Sequence, residues 1–339
     1  MKHRYCFSSV TRISNLQQCG FDLKPLPREQ WQTGDYVAGR VMDTSGRLHH
    51  IELVNGRLSE TFEGDLVIGA LGQRAATLEA VGDWRAIGAD HRFDMMTPAG
   101  LFGKITSRSC YLPSLISFSY EGHVTVGGKK SRMSDFVALP RGPDFAIPVV
   151  LLIGTSMSAG KTTSARLIVR LLKQAGYRVI GAKLTGAARY RDVLSLSDAG
   201  ADQIFDFMDM GLPSTVCDPE EYRHLLRQLL SHIAGTKADV LVAEAGASPL
   251  EPYNGSVAME ELDPRIRCTV LCASDPYAVA GVISAFDRKP DIVAGGAANT
   301  SAGIALVEKL TGLKALNLQD RGSISPLKDI LSGCLGFSL

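Results

Sequence analysis

An unbroken aliphatic run, Val149 to Ile153, leads into Gly154-Thr155-Ser156-Met157-Ser158-Ala159-Gly160-Lys161-Thr162-Thr163, and Lys161 to Ala175 then sets Ala165, Ile168, Val169 and Leu172 on one helical face. A buried strand, a small-residue turn and a helix in that order leave few folds open. Small residues let successive main-chain N–H groups turn toward one anion, and the helix N-terminus adds its partial positive charge. A lysine closing such a loop reaches the outer phosphates of a nucleotide, and the hydroxyl after it can ligate magnesium. The expectation is therefore that Gly154 through Thr163 hold a phosphate chain, with Lys161 catalytic and Thr162 on the metal. Five residues separate Gly154 from Gly160, one more than the usual spacing of a loop of this kind.

Downstream, aliphatic strands alternate with helical stretches: Arg178 to Ala182, Val240 to Ala243, Thr269 to Ala273, Ile292 to Ala294, a helix from Ser301 to Leu310 and a strand from Leu313 to Leu316. That alternation predicts a parallel, doubly wound sheet with ligands at the carboxyl ends of its strands. Lys183 ends the second strand and is expected near the phosphates or the group that reacts with them, with Thr185 behind it as a substrate contact. Leu196-Ser197-Asp198 is read as opening a helix, with Asp198 as N-cap or metal ligand. Glu244 follows a buried strand, where an acidic side chain holds magnesium directly or through water, and Gly246 permits close backbone approach. Near the end, Asn299 lies in a small-residue loop and offers the paired donor and acceptor that a nucleotide base needs, or else belongs to a helix cap. After the strand at 269–273, Ser274 or Asp275 is read as a substrate contact or as the cap of the next helix.

Upstream the pattern is different. Tyr36 to Met42, Leu48 to Val54, a strand running to Phe62, and Asp65 to Leu71 are short β-favouring runs separated by Asp43-Thr44-Ser45-Gly46, Asn55-Gly56 and Glu63-Gly64; Ser117 to Gly128 is a further one. They predict a small barrel or sandwich. Ala138 to Pro148 holds three prolines and a glycine and reads as a linker. With 339 residues, about two domains are expected: a β-rich domain over 1–140, a linker over 141–148 and an α/β domain over 149–339. The fold class is accordingly α/β, a doubly wound parallel-sheet phosphate-loop domain preceded by a smaller β-rich one. In the first domain the glycine-rich stretches 69–79 and 97–109 carry Arg74, Lys104 and Arg108, and Arg74 and Arg108 are candidate partners for a substrate carboxylate. His49, His50 and His123 lack metal-ligand spacing.

Lys and Arg total 36 against 35 Asp and Glu, so no long-range field favours a nucleic acid partner. No apolar run reaches the roughly 20 residues that span a bilayer. Seven scattered cysteines without a CxxC pair fit reduced thiols in a cytoplasmic protein, and Cys268 and Cys272 in an apolar strand read as small buried hydrophobes rather than metal ligands. Oligomeric state is open, a homo-oligomer included.

Together, the extended loop Gly154 to Thr162, Lys183 with Thr185, Ser197-Asp198-Ala199, and Glu244 with Gly246 resemble dethiobiotin synthetase and its relatives among the cobyrinic and cobyric acid synthases. The resemblance covers roughly 148–318 and implies a phosphate-loop NTPase. Lys161 and Thr162 would bind ATP and Mg2+, Asp198 and Glu244 would complete the metal site, and Lys183 would handle a carboxylate or carbamate activated for transfer to an amine. The chain departs from that pattern in Ala243-Glu244-Ala245-Gly246-Ala247-Ser248, in Leu184 after the lysine, and in its β-rich N-terminal part. It is also similar to the DUF1611 family, which includes D-glutamate N-acetyltransferase, and this likeness implies that the loop holds acetyl-CoA. A third reading, from the likeness to molybdopterin-guanine dinucleotide accessory proteins, is a nucleotide-hydrolysing switch.

Overall fold

Alternating apolar residues and Gly-bearing turns in the first half build strands that wrap around one another. The computed structural model describes residues 5–43, 50–139, 141–246, 248–286, 289–336 and 338–339. The turn at Thr44 to Gly46, His49 and Ala247 lie outside them. The first half contains β1 (Tyr5–Phe7), β2 (Asp22–Lys24), β3 (Tyr36–Asp43), β4 (His50–Glu52), β5 (Leu58–Glu60), β6 (Leu66–Leu71), β7 (Gln73–Ala75), β8 (Ala80–Asp83), β9 (Arg92–Thr97), β10 (Leu101–Arg108), β11 (Ser117–Val126) and β12 (Lys129–Lys130). Strands β6, β3, β11, β9 and β10 pair antiparallel in that order, and β10 returns to β6 in parallel, closing a five-stranded barrel. Closure removes the open edges that a sheet of this length would otherwise expose.

The barrel interior is aromatic. Phe93, Phe102 and Phe118 meet at ring separations of 4.9, 5.6 and 5.1 Å. Gly39 and Gly69 make room for them: a Cβ on Gly39 would lie 2.8 Å from Phe93, and one on Gly69 would lie 2.4 Å from Phe102. The Asn55-Gly56 turn joins β4 and β5 as expected, with Gly56 at φ +80°. The glycine-rich stretch 97–109, which carries the candidate carboxylate partner Arg108, forms the turn of the β9–β10 hairpin at Gly100 (φ +86°) and strand β10.

The second half contains β13 (Val149–Gly154), α1 (Lys161–Gln174), β14 (Val179–Thr185), α2 (Tyr190–Asp198), β15 (Gln203–Asp206), α3 (Pro219–Ala234), β16 (Val240–Ala245), α4 (Gly255–Leu262), β17 (Ile266–Cys272), α5 (Pro276–Phe286), β18 (Ile292–Ala294), α6 (Ser301–Thr311) and α7 (Ile324–Leu335). Its six strands are all parallel, in the order β15-β14-β16-β13-β17-β18. Strands β13, β14 and β16 are buried throughout, which is why they read as continuous apolar runs. The segment expected as a strand at 313–316 contributes a bridge from Ala315 to Val293.

The chain forms two compact units, and they are not consecutive blocks. One comprises Met1–Leu139, Ala187–Arg191 and Phe207–Cys217; the other comprises Pro140–Gly186, Asp192–Asp206 and Asp218–Leu339. Sequence periodicity gave no sign that two short segments following β14 and β15 join the barrel unit. They do so through specific polar contacts. The Glu52 carboxylate accepts from Tyr190 N (2.7 Å) and Arg191 N (3.0 Å), and Arg12 pairs with Asp209 at 2.8 Å. Ala187 bridges Ser214.

Candidate functional site

The site of the second unit lies at the carboxyl ends of β13, β14 and β16, where the order of a doubly wound sheet reverses and leaves a crevice. After β13, residues 155–160 turn without regular structure, and α1 starts at Lys161 from Gly160 in the left-handed region (φ +101°). Lys161 curls back over this turn, and its Nζ donates to Ser156 O at 2.6 Å. Gly154 is what lets it do so: a Cβ there would lie 2.8 Å from that Nζ. The loop after β18 packs against the same turn, because a Cβ on Gly295 would meet Ala159 O at 2.2 Å.

Thr162, the next helical residue, donates its hydroxyl to both Glu244 oxygens, at 3.2 and 3.0 Å. Glu244 is placed by register: it pairs with Leu152 of β13 on one side and Lys183 of β14 on the other. Beyond it, Gly246 is required, since a Cβ there would stand 2.2 Å from Thr185 O. Thr185, fully buried, donates to Gly246 O at 3.1 Å and so ties the two strand ends together.

Lys183 forms a 2.5 Å ion pair with Asp192, in the first turn of α2. Burial alone would lower the Lys183 ammonium pKa, but Asp192, Glu244 and Asp206 outweigh it and raise that pKa. Lys161 goes the other way: burial lowers its pKa, with Glu244 and Glu251 opposing. Burial likewise raises the Glu244 carboxyl, against the pull of Lys161 and Lys183. Two lysines thus stand among four carboxyl groups, those of Asp192, Asp206, Glu244 and Glu251. A hydroxyl and a carboxyl group in contact, with further acidic side chains behind them, are the donor set that a hard divalent cation such as Mg2+ takes.

Asp198 does not belong to this group. It closes α2 rather than opening a helix, is exposed, and is followed by Asp202, whose N–H bonds Val179 O at the amino end of β14. It lies six positions further along α2 than Asp192, about 9 Å along the axis. The acidic position at the site is Asp192, and Val193 with Leu196 as the buried face of α2 is the sequence signal that would have found it. Asn299 is exposed between the loop at 295–298 and α6, whose cap is Thr300. Asp275 caps α5 by accepting from Tyr277 N and Ala278 N. Thr155 and Ser274 make a mutual contact beside the turn, while Ser158 and Thr163 are exposed. Arg74 and Arg108 belong to the barrel unit: Arg74 donates to Met96 O at 2.6 Å and pairs with Glu79, and Arg108 donates to Leu112 O at 3.3 Å.

Fold and site define the second unit as a parallel α/β unit with a lysine-closed, glycine-bounded loop after its first strand and a hydroxyl–carboxylate pair beside it. No protein-family model matches the chain, and no curated protein matches it either. Solved structures that resemble it include a DUF1611 family protein from Anabaena variabilis (15% identity, 57% of this chain and 63% of that one, TM-score 0.37). Chloroplast FtsY from Physcomitrella patens is similar at 15% identity over 53% of this chain and 60% of that one, TM-score 0.38. The signal recognition particle 54 kDa protein from Aeropyrum pernix, solved with GDP, is similar at 16% identity over 60% and 53%, TM-score 0.35. The chain spans less than two thirds of each of these proteins. Among the described residues no helix is long and apolar enough to cross a membrane.

Proposed function

We propose that this protein binds a nucleoside triphosphate with Mg2+ and cleaves its terminal phosphoryl bond, the phosphoryl group passing to an acceptor at Lys183. The observation that carries the proposal is the contact of Thr162 with Glu244 directly beyond Lys161. The main-chain groups of Gly154 to Thr163 would cradle the phosphates, and Lys161 would leave Ser156 O for them. Thr162 and Glu244 would hold Mg2+, which supplies charge neutralisation at the phosphates. Asn299, exposed beside the loop at 295–298, is the base contact in this reading.

Lys183 is kept as a cation by its carboxylate neighbours, so it favours an acceptor that is itself an anion. A carboxylate or carbamate displacing Asp192 from Lys183 would attack the terminal phosphorus. The bond to the leaving diphosphate breaks, and an acyl phosphate and a nucleoside diphosphate form. An amine would then displace phosphate, giving an amide, inorganic phosphate and a proton. Such chemistry relies on positioning and charge neutralisation, and two lysines and main-chain donors provide both. Asp192 also favours a second reading, because a carboxylate at that place can orient water instead, which would make the protein a nucleotide-hydrolysing switch.

Calorimetric titration with ATP, GTP and acetyl-CoA, each with and without Mg2+, tests the first step. Magnesium-dependent binding of ATP or GTP is expected; saturable acetyl-CoA binding that ignores Mg2+ would turn the reading to an acyltransferase. Phosphate release that rises with added carboxylate and amine separates the ligase from the switch.

A further inference from the structure

Away from the carboxyl ends of the strands, three elements of the second unit bring soft and hard metal-binding atoms together. Cys268 stands near the start of β17, where it pairs with Val150 rather than with the strand end at Gly154. Asp291 immediately precedes β18, and Cys334 lies in the last turn of α7. The two sulfurs and a carboxylate oxygen of Asp291 all lie within 4.8 Å of one another. Both cysteines are free thiols, Cys268 fully buried and Cys334 half-buried.

We propose that Cys268, Asp291 and Cys334 form a site for a thiophilic divalent cation such as Zn2+, fastening α7 to the edge of the parallel sheet. The donor set decides the class of ion. Thiolates select zinc-like metals over Mg2+ and Ca2+, and a carboxylate completes a mixed sulfur and oxygen set. A tetrahedral ion about 2.3 Å from sulfur spaces its ligand atoms roughly 3.8 Å apart, so side-chain rotation of about 1 Å would close the site. The carboxylate is already oriented, because Asp291 Oδ2 accepts from Thr269 N at 2.7 Å while the Asp291 N–H bonds Thr269 O at 2.9 Å. That clamp supplies the outer support a metal ligand needs. Each thiol releases its proton on binding. The fourth position falls to water, since no other His, Cys, Asp or Glu among the described residues joins the group. This assignment stands apart from the nucleotide site and does not depend on it.

Titration of the reduced, metal-free full-length chain with Co2+ tests the assignment. The expected result is one equivalent bound, with a sulfur-to-cobalt charge-transfer band in the near ultraviolet and intense tetrahedral d–d bands, all displaced by Zn2+. Cys334→Ser and Cys268→Ala should each lose most of the charge-transfer intensity, and Asp291→Asn should retain that band with weaker binding. Cys334 is half-buried at a helix end, so its variant keeps the fold if Cys268→Ala does not. Absence of the band in the wild-type chain, or its persistence at full strength in Cys334→Ser, overturns the proposal.

Discussion

Each unit buries a cluster of charges, and the two clusters are built on opposite plans. In the barrel unit a single fully buried carboxylate, Asp35, collects donors: Gln32 N at 2.7 Å, Lys130 Nζ at 2.9 Å and His123 Nε2 at 3.2 Å, with Arg132 Nε 3.5 Å away. His123 passes the chain on to the Tyr120 hydroxyl at 2.5 Å, which accepts in turn from Leu26 N. Cations outnumber the carboxylate and surround it. In the sheet unit the carboxylates outnumber the cations, Lys161 rests on a main-chain oxygen of its own loop, and Thr162 rests on Glu244. The first plan ties distant strands together, since His123 and Lys130 lie 88 and 95 residues from Asp35 in the chain. The second leaves groups whose present partners a ligand can replace.

Four experiments would break or sharpen that contrast. The largest effect is expected from Lys161→Ala, which should lower magnesium-dependent phosphate release at least about a hundredfold. The matching barrel variant, Asp35→Ala, should leave turnover per folded molecule unchanged. If both variants lose turnover equally, the two plans do not differ in function.

Next, Asp35→Ala should destabilise the protein by about 3–5 kcal/mol in urea unfolding, because the Lys130 ammonium loses its buried counter-charge and Gln32 N and His123 lose a hydrogen-bond partner. A loss near zero would mean that the barrel cluster is not holding its strands. Smaller still, Asp192→Asn should cost turnover about tenfold, or about 1.4 kcal/mol of barrier, and lower the Lys183 ammonium pKa. A steady-state series with Lys183→Ala as partner checks whether the two act as a unit, since coupled losses will not add.

The smallest effect concerns pH. Glu244 is raised above the ordinary carboxyl value, so the metal-free fold is more stable where Glu244 is protonated and loses that stability as pH rises through its folded pKa. Mg2+ needs the ionised form, so its affinity should fall on acidification, beginning above the usual carboxylate range. Lys161 is lowered, so phosphate binding should fade on the alkaline side before the ordinary lysine range. Glu244→Gln should therefore raise the melting temperature in magnesium-free buffer while removing the magnesium dependence of binding. Thermal scans at two pH values with and without Mg2+ check both signs.

Much of the sheet unit was legible because its signals are local. A strand buried on both faces must be aliphatic, as Val149 to Ile153 is, and the glycine and lysine of the loop after it follow from the bond geometry of a few consecutive residues. Glu244 was visible for the same reason, directly after the aliphatic run Val240 to Ala243, although the strand itself continues through it to Ala245. Asp192 was not, because its role depends on where α2 begins, and a helix start is set by capping from elsewhere as much as by its own residues. That cap is Glu52, 138 residues earlier in the chain. The β9–β10 hairpin was missed because Thr97-Pro98-Ala99-Gly100 looks like a loop until a barrel gives its flanking residues partners.

What the sequence alone determined is the strand, the small-residue loop after it, the lysine and the helix behind it, along with the separation of a β-rich half from an alternating one. Each follows from side-chain size and periodicity within a dozen residues. Only the tertiary structure decided which carboxylates gather at that loop, that 187–191 and 207–217 join the barrel unit, and that two cysteines 66 residues apart meet beside Asp291. Electrostatic partners act through space, and only the closed barrel and the strand order bring residues this far apart in the chain within reach of one another.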